Sequence, residues 1–205
     1  NQNYKFRNDV ISKLSHMKYQ DNDWEPTNID TVYRLMQKNG IKFSLDKLKS
    51  LLRSDYVEKW NPFESYFNGL PQWDGEDRVK TLTSNFKLKE KDDEFFYEMF
   101  KKMLIRTVKC ALEDFYYNRM VLTFIGDQNI GKSWFWRWIN PFGSEYYTEE
   151  VLRDNKDSKL ALTENLFYNL EELDAITTKS DISKLKATIS TQLVNDRLPF
   201  ATHKE

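Results

Sequence analysis

Cysteine is nearly absent from this 205-residue chain, with Cys110 standing alone. No intrachain disulfide can form, and one Cys with two His cannot furnish a zinc cluster. Cys110 falls in a helical pattern and is expected to be buried and inert. No run of 18 apolar residues exists, which excludes a membrane-spanning helix, and no signal-peptide pattern opens the sequence; a cytoplasmic location is expected. Strong charge of either sign is also missing. The net charge is −1, so no global basic field draws the protein to nucleic acid. Residues 1–60 carry 11 Lys and Arg against 8 Asp and Glu, a balance too small to argue from.

What is present is an ordinary globular balance, 40% hydrophobic and 31% charged, which excludes a disordered chain. Aromatic residues are abundant, with 14 Phe, 11 Tyr and 6 Trp, so a core filled with rings is expected and some rings can serve as exposed platforms for bases or partners. Residues 6–17 place Phe6, Val10, Ile11 and Leu14 at helical spacing. Asp30 is expected to cap a helix through Val32, Tyr33, Leu35 and Met36 that stops at Gly40, and Ser44 to cap a second through Leu45, Leu48, Leu51 and Leu52. The stretch Asn61–Gly75, with two Pro and two Gly, reads as a short helix closed by a turn-rich loop, with Trp73 pinning that loop to the core. Residues 92–118 form the longest helical pattern, through Phe96, Phe100, Met103, Leu104, Val108, Ala111, Leu112 and Phe115. Three regions are therefore expected: 1–60, helical; 61–120, a helical linker; 121–205, an α/β core.

At residue 121 the pattern changes. Val121–Ile125 is a short β-prone run that suits a strand buried on both faces. Gly126-Asp127-Gln128-Asn129-Ile130-Gly131-Lys132-Ser133 follows at once, and Trp134, Phe135, Trp138 and Ile139 continue at helical spacing. Strand, glycine loop and helix form the context that a phosphate-binding P-loop requires. Polyphosphate is held there by backbone N–H groups and the helix N-terminus, with Gly126 and Gly131 permitting the turn. Lys132 is expected to reach the β- and γ-phosphates and the Ser133 hydroxyl to ligate Mg²⁺, with the whole loop through Trp134 lining the nucleotide. Such a site needs an acid at the end of a neighbouring strand. A second β-prone run, Leu166–Leu170, leads into Glu171, Glu172 and Asp174. Glu172 is the first choice for the base or water-orienting role, Glu171 can share the metal shell, and Asp174 is a fallback. The same acids also suit an ordinary helix N-terminus.

The segment Asn61–Arg78, the loop Phe124–Ser133, Glu172-Leu173-Asp174-Ala175, Leu185–Ser190 and Arg197-Leu198-Pro199-Phe200 together resemble the virulence-associated protein E (VirE/VapE-like) family over roughly residues 60–205. The resemblance implies a P-loop ATPase related to the superfamily 3 helicases, with an AAA+-like α/β core, using ATP and Mg²⁺. It implies a DNA replication role on a mobile genetic element, often with a primase partner and often as a homo-oligomeric ring. Carried over by position, Lys132 and Ser133 match the phosphate-binding pair and Glu172 the acid of the Glu-Leu-Asp block. Lys186 and Arg197 match basic positions that face single-stranded DNA. The chain departs from the family pattern in three places. Asp114–Asn118 stands where a Pro-Gly is usual. Asp127, Gln128 and Asn129 replace glycines inside the loop. The sequence given ends at Glu205, before the family's sensor strand and any arginine finger, so the core is expected to be C-terminally incomplete. The leading reading is an ATPase coupled to DNA unwinding. The alternative is a nucleotide-dependent switch or interaction module without productive turnover. A small-molecule kinase ranks last, because Arg137, Arg153 and Arg197 are too widely spaced for an arginine-bearing lid.

Overall fold

The computed structural model describes residues 4–89, 92–116, 118–151, 156–170, 182–183 and 185–187. The chain divides into two compact units, Asn1–Leu70 and Pro71–Glu205. Both mix helices with small sheets.

Unit 1 is built on a four-stranded sheet. Strands β1 (Tyr4–Asp9) and β2 (Ser15–Tyr19) form an antiparallel hairpin, β3 (Glu25–Pro26) pairs antiparallel with β2, and β4 (Glu58–Trp60) pairs parallel with β1. The expected helix over 6–17 is thus replaced by two strands. Phe6, Val10 and Leu14 keep a four-residue step, but that step is also a multiple of two, and Phe6 pairs across the ladder with Met17 to face the core. The turn forms because the Asp9 carboxylate accepts from the Ile11 N–H at 2.8 Å and from the Ser12 hydroxyl, while Lys13 takes the left-handed φ of 60°.

Two amphipathic helices cover the inner face of this sheet. Helix α1 (Ile29–Lys38) is capped by the Asn28 side chain, which accepts from the Thr31 N–H, rather than by Asp30; Asp30 sits in the first turn, where the positive helix end favours an acid. Gly40 stands just past its end at φ 73°. Helix α2 (Leu45–Arg53) is capped by Ser44, as the sequence predicts. Met17, Val32, Leu48, Leu52 and Val57 form the buried core, with Phe6, Ile29, Tyr33, Met36 and Phe43 packed against it. Helix α3 (Pro62–Asn68) follows β4, with the Asn61 side chain accepting from the Phe63 and Glu64 N–H groups.

Unit 2 contains α4 (Arg78–Thr83), α5 (Asp93–Leu112), α6 (Lys132–Ile139), β5 (Tyr147–Glu150), α7 (Lys156–Glu164) and β6 (Phe167–Leu170). Strands β5 and β6 pair parallel, from Tyr147↔Phe167 to Glu150↔Leu170. The core is a lattice of rings. Phe100, with no exposed surface, packs against Phe96, Phe86, Phe135 and Trp136; Phe124 stacks on Trp136 at 4.9 Å, and Trp136 meets Phe167 on β6. Among the described residues, no helix is long and apolar enough to cross a membrane.

Several expectations are corrected here. Val121–Ile125 joins no ladder among the described residues; only Leu122 and Phe124 are partly buried, and Ile125 is 93% exposed. Helix α5 ends at Leu112, leaving Phe115 outside it at φ 64° and 91% exposed. Trp73 is 73% exposed, and its indole N–H donates to the Glu76 carbonyl at 3.1 Å, closing its own turn instead of anchoring the loop in a core. Cys110 is exposed rather than buried, although partial desolvation still raises its thiol pKa.

Candidate nucleotide site

The glycine loop folds as a tight turn ahead of a helix because two of its residues accept a left-handed backbone. Asn129 takes φ 61° and Gly131 φ 88°, and α6 starts at Lys132 with the Phe135 N–H donating to the Gly131 carbonyl at 2.9 Å. Gly131 is the N-cap and supplies no side chain, so no side-chain hydrogen bond caps α6. The first N–H groups of a helix carry partial positive charge and require acceptors, which makes such an end a natural anion site. Gly126 lies where a Cβ would come within 2.8 Å of the Ile130 Cδ1, the movable end of a side chain.

Lys132 points back into the loop. Its Nζ donates to the carbonyl of Gly126 at 2.8 Å and to that of Asp127 at 2.7 Å, and no described carboxylate pairs with it. The Asp127 carboxylate stands outside the turn, 3.9 Å from the Lys89 ammonium, with both side chains more than four-fifths exposed. Gln128 and Asn129 form the outer turn, and Ile130 is exposed.

A cavity of about 540 Å³ opens beside the loop, lined among others by Thr123, Gly126, Lys132, Ser133, Tyr168 and Asn169. Strand β6 and the glycine-loop residues therefore face one space. Its neighbour β5 is tied to α6 by Arg137, whose Nε donates to the Glu149 Oε1 at 2.7 Å and whose second guanidinium nitrogen reaches Oε2. Tyr147 donates its hydroxyl to the same Oε1. Arg137, joined by Tyr147 and Asn169, holds the Glu149 carboxyl below its ordinary range; burial and the adjacent carboxylate push the Tyr147 phenol up. The sequence reading missed this clamp: Glu149 lies in a run of acids that looks like solvated surface.

Trp134 is not drawn into the cavity. It is 64% exposed and stacks on Trp138, 56% exposed, with centroids 6.2 Å apart and planes 11° apart. Lys186 is exposed. Glu171, Glu172, Asp174 and Arg197 lie outside the described residues; Glu171 follows in sequence the last residue of β6, Leu170. Among the described residues no cluster of three metal-binding side chains occurs.

Comparison with known proteins adds one positive finding. No curated protein and no solved structure matches the chain. A family model, the virulence-associated protein E-like domain, matches residues 67–205, from the last turn of α3 through all of unit 2. That match spans more than half of the sequence, and the chain belongs to the virulence-associated protein E-like domain family.

Proposed function

We propose that residues 71–205 bind ATP with Mg²⁺ and hydrolyse it, acting on DNA in the replication or helicase function of a mobile genetic element. The observation that carries this reading is the Lys132 ammonium, held over the loop by the Gly126 and Asp127 carbonyls, beside a helix start without a side-chain cap. A polyphosphate fits this arrangement: the N-terminus of α6 favours an anion, and the phosphate charge pairs with a lysine that has no carboxylate partner among the described residues. The residues that would hold it are Gly126–Trp134, with the Ser133 hydroxyl on the metal. Glu171 and Glu172 follow a strand whose residues line the same cavity as Lys132, the position from which an acid orients attacking water. Adenine as the base, DNA as the partner, and a ring of subunits rest on the family resemblance.

The test is ATP binding and hydrolysis with and without single-stranded DNA, for the chain and for Lys132→Ala and Glu172→Gln. The reading expects Lys132→Ala to lose binding, and Glu172→Gln to keep binding and lose turnover. DNA is expected to accelerate the unsubstituted protein. Binding without hydrolysis under any condition would replace the motor with a nucleotide-dependent switch. Unaltered binding in Lys132→Ala would remove the nucleotide site itself.

A further inference from the structure

The outer face of the sheet in unit 1 collects cations and rings in a way its fold does not require. Phe6, Met17 and Val57 face the core, so alternation along the strands sends Lys5, Arg7, His16, Lys18, Glu58 and Trp60 to the opposite side. The hairpin register places Lys5 directly across from Lys18 and Arg7 across from His16. Like charges opposite one another on neighbouring strands, with Cβ atoms about 5 Å apart, weaken a sheet unless an anion sits between them. Glu58, across from Arg7, is the acid that joins this face from β4. Asp9 is 2% exposed, with its carboxylate taken by the Ile11 N–H and the Ser12 hydroxyl.

Two indoles complete the surface. The Arg7 guanidinium carbon lies 3.3 Å from the Trp60 ring centroid and 4.3 Å from that of Trp24, and the Lys18 ammonium 5.2 Å from Trp24. His16 meets Trp60 edge-on at 6.1 Å, and the Trp60 N–H donates to the Ser65 hydroxyl at 2.9 Å, which fixes the ring's orientation. Half-buried rings held in place by cations, bordered by a lysine pair, match the chemistry of unpaired nucleic acid: phosphates for the lysines and flat bases for the rings. A duplex offers its phosphates but hides its base faces.

We infer that the outer face of the β3-β2-β1-β4 sheet, centred on Lys5, Lys18, Trp24 and Arg7, is a binding surface for single-stranded nucleic acid. It belongs to unit 1, not to the unit that carries Gly126–Ser133, and lies outside the residues matched by the family.

The experiment is fluorescence anisotropy of a labelled 20-nucleotide oligo-dT, without ATP or Mg²⁺, across a salt series on the whole chain. An oligo-U strand and a duplex serve as the other arms. Binding of the single strands over the duplex is expected; dT against U tells whether DNA or RNA is preferred. Lys5→Glu with Lys18→Glu is expected to weaken binding at least tenfold and to lower the slope of log affinity against log salt by about 1.4, two phosphate contacts at about 0.7 each. Trp24→Leu is expected to weaken binding roughly tenfold with the slope unchanged, and Trp24→Phe to restore most of it. Lys47→Glu, at an exposed position of α2 away from this face, is expected to change nothing. Since Lys5 and Lys18 are surface positions, folding by circular dichroism and ATP binding stay as they were. Absence of single-strand binding at low salt, preference for the duplex, or an unchanged slope in the lysine pair would overturn the assignment, as would an equal loss with Lys47→Glu.

Discussion

The Lys132 ammonium reaches six residues back along the chain to the Gly126 carbonyl, 2.8 Å away, and so closes the loop on itself. The neighbouring Asp127 carbonyl, at 2.7 Å, shares it. A ligand carrying phosphate must compete with two neutral acceptors, and its full negative charge wins that competition. Lys132→Ala is expected to abolish measurable ATP binding in calorimetry while costing about 1 kcal/mol of folding stability, since the carbonyls it leaves are accessible to water. A thermal scan separates the two effects. On the proposed function, ATP at a hundred times its Kd is expected to add about 2.7 kcal/mol to the folded state of the unsubstituted chain and nothing to the variant. Undiminished ligand stabilisation of Lys132→Ala by ATP would contradict this account.

Gly131 carries the other half of that turn. Its φ of 88° lies where a side chain strains the backbone, yet a Cβ built there meets nothing within 4 Å. The cost of Gly131→Ala is therefore conformational, about 1–2 kcal/mol, and is expected as weaker nucleotide binding with a small fall in Tm. Gly69→Ala makes the contrast. There the backbone is right-handed, φ −84°, but the new methyl would stand 2.9 Å from the Ser65 carbonyl, so α3 must shift and the loss is steric. Equal nucleotide affinities in the two variants would show that the left-handed turn plays no part in binding.

The sequence made some of this legible and hid the rest for physical reasons. The glycine loop, the helix starting at Lys132 and the strand through Phe167–Leu170 read directly, because each depends on local chemistry: left-handed turns, helical spacing and β-prone residues in a row. The cap at Ser44 and the stop at Gly40 are local in the same sense. The hairpin at the start of unit 1 was hidden because Val10, Ile11 and Leu14, which lie in the connection between its strands, mimic a helical step with Phe6, and only pairing of Phe6 with Met17 reveals the ladder. Strand β5 was hidden by Glu149 and Glu150, whose exposure to water is the usual expectation; Arg137, 12 residues earlier, is what draws Glu149 in. Trp73 and Cys110 were misread for one reason: an apolar or soft side chain suggests burial, but nothing local guarantees a partner surface.

Phe100 is the ring on which unit 2 closes. It is fully buried and touches Phe86, Phe96, Phe135 and Trp136, so it links α5 to α6 and, through Trp136, to β6. Removing it leaves a cavity between α5 and α6, the helix that begins at the glycine loop. Phe100→Ala is expected to cost about 3–5 kcal/mol, whereas Phe115→Ala, at a ring 91% exposed, is expected to fall within about 0.5 kcal/mol of no change. Denaturant titration of both variants checks the ordering. A comparable loss from each would mean that the ring lattice is not the core of this unit.

The Arg137–Glu149 clamp gives unit 2 an acid-sensitive seam. Glu149 is held mainly by the Arg137 guanidinium and further by the Tyr147 hydroxyl, and its carboxyl titrates below the ordinary value in the folded state. A carboxyl whose folded pKa is depressed stabilises the fold above its unfolded pKa, near 4.3 for Glu. That contribution is lost as the pH falls through the folded value. Stability of unit 2 is therefore expected to be flat in this component from pH 7 to about pH 5 and to decline below about pH 4.3. Glu149→Gln keeps the shape and removes the charge. It is expected to lower stability at pH 7 by about 1 kcal/mol, the Arg137 side chain being 58% exposed and its pairing screened accordingly. The variant's deficit is expected to shrink as the pH falls below about 4.3 and the unsubstituted carboxyl progressively takes up its proton. Urea denaturation at pH 7 and pH 3 measures the difference directly; a deficit that stays constant between the two would show that the clamp acts through packing rather than charge.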